Sequence, residues 1–268
     1  VINGVFKPTE KTTVEFEFAA SNNDLNLYST LDDENDTGIA GQLSINHQFL
    51  KTAKGWAFDV NSDIDYIQND FRTIQRLYKP EFNRDWNVET LSGNQRISNL
   101  GDQVFAIAGA QFSHPDKGNL SYEFQHLNFK GNYEGSRHVF FTKLNLEHFQ
   151  VYSNSSFLET DGLNSNSVFY RSENRLKYSY TKGWSGVKFS TEHNEKKSVE
   201  LDQLDPVSQK FQAYEVFTGV GDSTKVFAKL GYVHRINDSL QNNRLAKVNT
   251  SDTYYLDSKW VQTQNTNL

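Results

Sequence analysis

A chain whose side chains change character at every second residue can adopt few folds, and the clearest such run here extends from Ser167 to Glu195. Val168, Tyr170, Leu176, Tyr178 and Tyr180 fall on one side of an extended backbone, and Arg171, Glu173, Arg175 and Lys177 fall on the other. Strand side chains point alternately to opposite faces, so this pattern is that of a half-covered strand. Ser172 and Asn174 interrupt its apolar side. Lys182-Gly183 stands where a two-residue reversal fits, because glycine readily supplies the positive φ of such turns. Val187, Phe189 and Thr191 then alternate with Lys188, Ser190 and Glu192, and the whole stretch is predicted to be a long β-hairpin.

The same period recurs along the chain. Thr12 to Ala19 sets Val14, Phe16 and Phe18 against Glu15 and Glu17; Leu25 to Ser29 is a shorter candidate, followed by a polar turn from Leu31 to Gly38. Ile39 to Leu50 alternates through Leu43, Ile45, His47 and Phe49, and Trp56, Phe58, Val60 and Ile64 resume the pattern beyond Lys54-Gly55. From Asp102 the alternation runs almost unbroken. Val104 to Phe112 reverses at HPDKGN into Leu120, Tyr122 and Phe124, and a turn containing Gly131 and Gly135 leads to a strand from His138 to Val151. That strand sets Phe140, Thr142, Leu144 and Leu146 against Lys143, Asn145 and Glu147. Phe211 to Thr218 with Val226 to His234 is a last hairpin, and Thr253 to Thr263 one further strand. The period fails only in a long irregular loop at about 67–101. Within it, Phe71, Ile74 and Tyr78 have helical spacing ahead of Pro80, predicting a short helix or ordered loop.

Beyond Val151 the predicted connections alternate long and short, with SNSSFLETDGLNSNS, KKSVELDQLDPVS and NDSLQNNRLAKVNT as the long ones. In a meander alternate connections emerge at the same end, and bulky loops at one end with tight turns at the other are the habit of outer-membrane barrels. The fold class expected is therefore all-β: one domain over residues 1–268, an antiparallel up-and-down meander of about ten to twelve strands, closed or nearly closed as a barrel. A spanning strand needs only about 9 to 11 residues, so a mean hydropathy of −0.69 is compatible with it. If there is a lumen, its charges would come from Arg171, Glu173, Arg175, Lys177, Lys143 and Glu147. Trp56, Tyr66, Tyr180, Trp184, Tyr232 and Trp260 fall near predicted strand ends, where an interfacial aromatic girdle would lie.

Specific chemistry is sparse. With no cysteine, disulfides and thiolate metal sites are excluded. The net charge of −6 disfavours a dedicated nucleic-acid binder. No methionine occurs and the chain begins Val1-Ile2-Asn3, which reads as a mature or partial segment of a longer precursor. Asp33, Asn35 and Gly38 imitate the start of a calcium loop, but Ser44 stands where its bidentate acid belongs, so a solvated turn is the better reading. His126, His138 and His148 lack ligand spacing, and no metal site or cofactor is expected. The carboxylate pairs Asp63 with Asp65 and Glu81 with Asp85 come with no nucleophile elbow, phosphate loop or zincin motif. The chain is expected not to be an enzyme.

Two stretches, Asn22 to Gly41 and Arg76 to Asn87, resemble segments of large β-rich envelope proteins of Bacteroidota, as does the Asn, Lys and Phe bias. The resemblance implies a place in the bacterial outer membrane or on its periplasmic face, with outer-membrane lipid or a larger envelope complex as partner. It extends to the type 9 secretion apparatus, where a plug-like subunit of the translocon would close or support a pore. The function expected is a channel or pore-associated component of transport or protein secretion. Alternatives are a porin-like barrel acting alone, and a soluble polysaccharide-binding or glycan-cleaving protein using exposed aromatics such as Trp56, Trp86 and Trp184.

Overall fold

A computed structural model describes the chain except for residues 25–27, 29–35, 75–77, 89–100, 222–225, 264–265 and 268, and it describes no side chains from residue 261 onward. The candidate strand at Leu25 to Ser29 and the calcium-like loop at Asp33 and Asn35 lie largely outside the described residues.

The fold is all-β: thirteen antiparallel up-and-down strands in one sheet, joined at the end by a two-residue fourteenth. They are β1 (Ile2–Thr9), β2 (Thr12–Asn22), β3 (Thr37–Lys51), β4 (Ala57–Ile67), β5 (Gln103–His114), β6 (Gly118–Phe129), β7 (Tyr133–Asn145), β8 (Phe149–Gly162), β9 (Ser165–Tyr180), β10 (Gly183–Ser198), β11 (Gln209–Gly221), β12 (Val226–Gln241), β13 (Arg244–Thr263) and β14 (Thr266–Asn267). The spatial order follows the chain from β1 to β14. Among the described residues no pairing joins β1 to β13, so closure into a barrel is not seen. A single helical turn, α1 (Phe82–Asp85), interrupts the series.

Two predicted loops are in fact strands. Ser153 to Ser167 forms most of β8, the turn at Leu163-Asn164 and the start of β9, and Asn237 to Thr250 forms the end of β12 and the start of β13. That hairpin reverses at Asn242-Asn243, both with positive φ (50° and 59°), the conformation a tight two-residue turn demands. Serine and asparagine suggest loops because they compete for backbone partners, but here the partner strand satisfies the backbone. The predicted alternation of long and short connections therefore fails; only 199–208 remains a long described connection after Val151. Three further boundaries shift. The expected strand from His138 to Val151 is two strands, Gly135 lies within β7 rather than in a turn, and Thr181-Lys182 is the β9–β10 reversal. The helical turn follows Pro80, and the described residues of Asp70 to Tyr78 are not helical.

Two compact units can be distinguished, residues 1–112, 122–138 and 158–167 in the first, and 113–121, 139–157 and 168–268 in the second. In unit 1, β1 to β4 are in strict register over five rows, from Thr12, His47 and Val60 through Phe6, Val14 and Ile45, then Phe16, Leu43 and Ile64, then Ile2, Phe18 and Tyr66, to Ala20 and Ile39. The opposite face carries rows such as Glu15–Ser44–Asp63 and Glu17–Gln42–Asp65. In unit 2 the rows are Val226–Trp260, Val220–Ala228–Ser258, Thr218–Leu230–Leu256, Val187–Val216–Tyr232–Tyr254 and Phe189–Tyr214–His234–Asp252. Its opposite face carries Lys188–Glu215 and Lys229–Asp257.

Burial runs against the usual order. Val216, Leu230 and Leu256 are 53%, 59% and 67% exposed although their strands are paired on both sides or, for β13, along one side. Phe16, Phe18, Leu43 and Ile64 are likewise exposed in unit 1. Among the described residues, the buried apolar side chains of unit 1 are Phe82, Trp86, Val88, Leu127, Phe129, Tyr133 and Leu158. Those of unit 2 are Phe169 and Phe217.

Candidate functional site: the polar faces

In unit 1 the segment around α1 folds back onto the sheet. One turn of helix has little stability alone, and aromatic contacts hold it. The Tyr78 and Phe82 rings stack at 3.8 Å, Trp86 meets Phe105 edge-on at 5.6 Å, and Arg137 lies 6.0 Å from the Trp86 ring centre. The Tyr133 hydroxyl donates to the Trp86 carbonyl, and Asn87 Nδ2 donates to Ser167 Oγ at 2.9 Å. Asn87 has φ 48°, which turns the chain as it leaves the helix. Lys79 Nζ closes on Asp85 Oδ2 at 2.6 Å.

A cavity of about 330 Å³ lies beside this segment, lined by Glu17, Gln42, Asp65, Phe71 and Tyr78 among others. Asp59, Asp63 and Asp65 share the polar face of β4, as their alternation predicts. Burial, and then the charge of Asp65, push the Tyr78 phenol well above its ordinary range. Trp86 is 3% exposed, so its expected role as an exposed glycan-stacking ring is corrected by the packing of α1.

Unit 2 brings together most of the predicted lumen charges. Arg171 Nε sits 3.6 Å from Glu192 Oε2 with its guanidinium 4.0 Å from the Phe169 ring centre, and Lys188 Nζ reaches Glu173 Oε1 at 3.1 Å. Arg175 lies 5.7 Å from the Tyr152 ring centre, and Lys177 Nζ lies 4.8 Å from that of Trp184. Lys143 stands on β7 on the side of Phe141, whose ring meets Tyr152 edge-on at 5.8 Å. Glu147 does not belong to this face. It lies in the connection between β7 and β8, 3.9 Å from His148; reading two strands as one had extended the alternation through a turn.

The cluster that sequence reasoning missed centres on Glu215. It accepts from the Tyr255 hydroxyl and from Lys229 Nζ, the latter at 3.3 Å, while Lys229 also lies 4.7 Å from the Phe217 ring centre. Gly186, Gly219 and Gly231 sit directly opposite Phe217, Trp184 and Tyr255, and a Cβ on any of the three would strike the facing ring. Glycines inside alternating runs were the available signal, since a strand glycine marks the close approach of another group. The register needed to pair them was absent from the pattern.

Trp184 is thus on the polar face and not beside the other predicted girdle residues. Trp56, just before β4, stacks on Phe112 at 4.6 Å, and Tyr66, Tyr180 and Trp260 are exposed. Tyr232 lies within β12, where its hydroxyl donates to Asp252 Oδ1 at 2.6 Å beside His234. His126, His138 and His148 have separate neighbours in Ser136, Tyr122 and Glu147. Among the described residues no group of three or more His, Cys, Asp or Glu could hold a metal.

No protein-family model matches the chain, and no match is found among curated proteins or solved structures.

Proposed function

We propose that this chain is the membrane-embedded part of a non-enzymatic outer-membrane β protein, acting as a channel or pore component in transport or protein secretion. The observation that carries the reading is the largely apolar, exposed band in each unit, five rows tall with Thr12, His47, His234 and Asp252 confined to its edge rows, and opposite a polar face. Rows two residues apart are about 6.8 Å apart along a strand, so five rows span about 27 Å along it, or about 21 Å in height at a tilt of about 40°. Outer-membrane barrels carry an apolar band about 25 Å tall on tilted strands. Lipid would cover what water would otherwise meet, and the charged faces would line a water-filled interior. The segment around α1, held to the polar face of unit 1, then narrows that interior.

This favours the pore itself over a separate plug-like subunit, because a plug has no use for an apolar exterior. The band likewise argues against the soluble glycan-binding reading, which needs a polar exterior. Closure is part of the proposal. With thirteen long strands β1 and β13 run in the same direction, so an antiparallel seam needs β14 to run at full length between them. The resemblance to Bacteroidota envelope proteins directs the search for partners to the type 9 translocon.

The test is refolding with and without detergent, followed by far-UV circular dichroism and size. A monodisperse β-rich species only in detergent, with measurable conductance in planar bilayers, is the expected result. A well-folded monomer in plain buffer would overturn the spanning reading.

A further inference from the structure

Unit 2 contains a second feature on the side of its apolar band. Beyond the Phe189–Tyr214–His234–Asp252 row come Thr191–Gln212–Ile236–Thr250 and then His193–Lys210–Asp238–Lys247. The last row is about 14 Å along the strands from the band's edge, or about 10 Å in height on strands tilted by about 40°. On a spanning protein that is the level of lipid head groups rather than acyl chains.

At this level there is a cavity of about 580 Å³ lined by His193, Lys197, Asp202, Lys210, Asp238 and Arg244, with Glu195 at its side. Its walls are tied together. The 199–208 connection reaches the β12–β13 turn through Leu204 N–H donating to Asn243 Oδ1 at 2.6 Å, and it is pinned to β10 by Ser198 N–H donating to the Gln203 carbonyl at 2.8 Å. The carboxylates are mostly committed: Glu195 to His193 at 2.8 Å and Asp202 to Lys197 at 2.5 Å. Lys210 stands opposite Asp238 in the sheet, and Arg244 lines the cavity from the first position of β13, beside the β12–β13 turn. Two cations at the rim of a fixed cavity, beside an apolar surface, match a group that is anionic at one end and attached to hydrocarbon at the other.

We propose that this cavity is a head-group subsite for a phosphorylated lipid, with Lys210 and Arg244 holding the phosphate and the acyl chains lying on the apolar band. Arginine pairs with phosphate through two parallel N–H donors, and lysine adds a point charge. The proposal rests on the spanning reading above.

The probe is lipid A, a phosphorylated glycolipid, in phosphatidylcholine vesicles, compared with phosphatidylcholine alone. The folded chain is inserted in both, extracted in mild detergent, and its retained lipid is counted by native mass spectrometry. Wild type is expected to retain lipid A. Lys210→Ala and Arg244→Ala should each lower retention about fivefold, the usual worth of one basic residue near an anionic surface, while the charge-preserving pair Lys210→Arg and Arg244→Lys should restore it. Equal retention by the double alanine variant, or none by wild type, would overturn the subsite while leaving the spanning reading intact. Insertion into neither vesicle would overturn the spanning reading itself. Displacement of lipid A by inorganic phosphate at equal concentration would show a free-phosphate site and overturn the lipid assignment.

Discussion

Leu230 and Trp86 show how differently two apolar side chains can be used in one chain. Leu230 is on a strand paired on both sides, and its side chain is 59% exposed; Trp86 is on an irregular segment and buried. Leu230→Arg should therefore cost about 2–4 kcal/mol when the protein is unfolded from lipid, because it sits near the middle of the band. In a soluble protein an exposed leucine would change stability by no more than about 0.5 kcal/mol. Urea titration in vesicles and in buffer separates the two cases. Trp86→Ala should cost about 3–5 kcal/mol, read as faster hydrogen exchange around α1 and, in bilayers, as larger unit conductance. The alternation that put Leu230 on an apolar face was legible in sequence. The burial of Trp86 was not, because it depends on Phe105, Tyr133 and Arg137, which reach it only through sheet register.

Elements were legible where the two faces differed in polarity, and they were lost where both were polar. Val226 to His234 was found as a strand, but β12 continues to Gln241 and β13 begins at Arg244, through residues with no apolar stripe. The β12–β13 turn then rests on two asparagines in a conformation β-branched residues avoid. Asn242→Val should cost about 1–3 kcal/mol, and it should loosen the polar end of the hairpin while exchange at Leu230 and Tyr232 stays slow. The segment leading to α1 has a pH limit. Below about pH 10 the Tyr78 phenol is neutral whether folded or not. Above that, the unfolded segment ionises while the folded one holds its proton, so stability falls as pH rises through the alkaline range. Tyr78→Phe should remove that part of the alkaline loss in a pH series of unfolding midpoints.

At the scale of the molecule, strand period set the architecture and the order of strands, since a meander with short turns leaves little choice of neighbour. The number of strands was underestimated because β1 was not recognised and β7 and β8 read as one strand across their short turn. The predicted lumen charges came together where they shared one continuous strand, as Arg171, Glu173, Arg175 and Lys177 do, and failed at Glu147, where an unseen turn intervened. Glu215, Lys229 and Tyr255 stayed hidden because three different strands contribute them.

The neighbour-to-neighbour pairing of this sheet also fixes an order of construction. Each strand from β2 onward finds a partner in the strand made just before it, so only the seam that closure requires waits for the end of the chain. Contacts close in sequence form quickly because little loop entropy is lost in closing them. A chain delivered from its first residue onward could therefore grow its sheet one hairpin at a time, always presenting a single fresh edge to whatever machinery receives it.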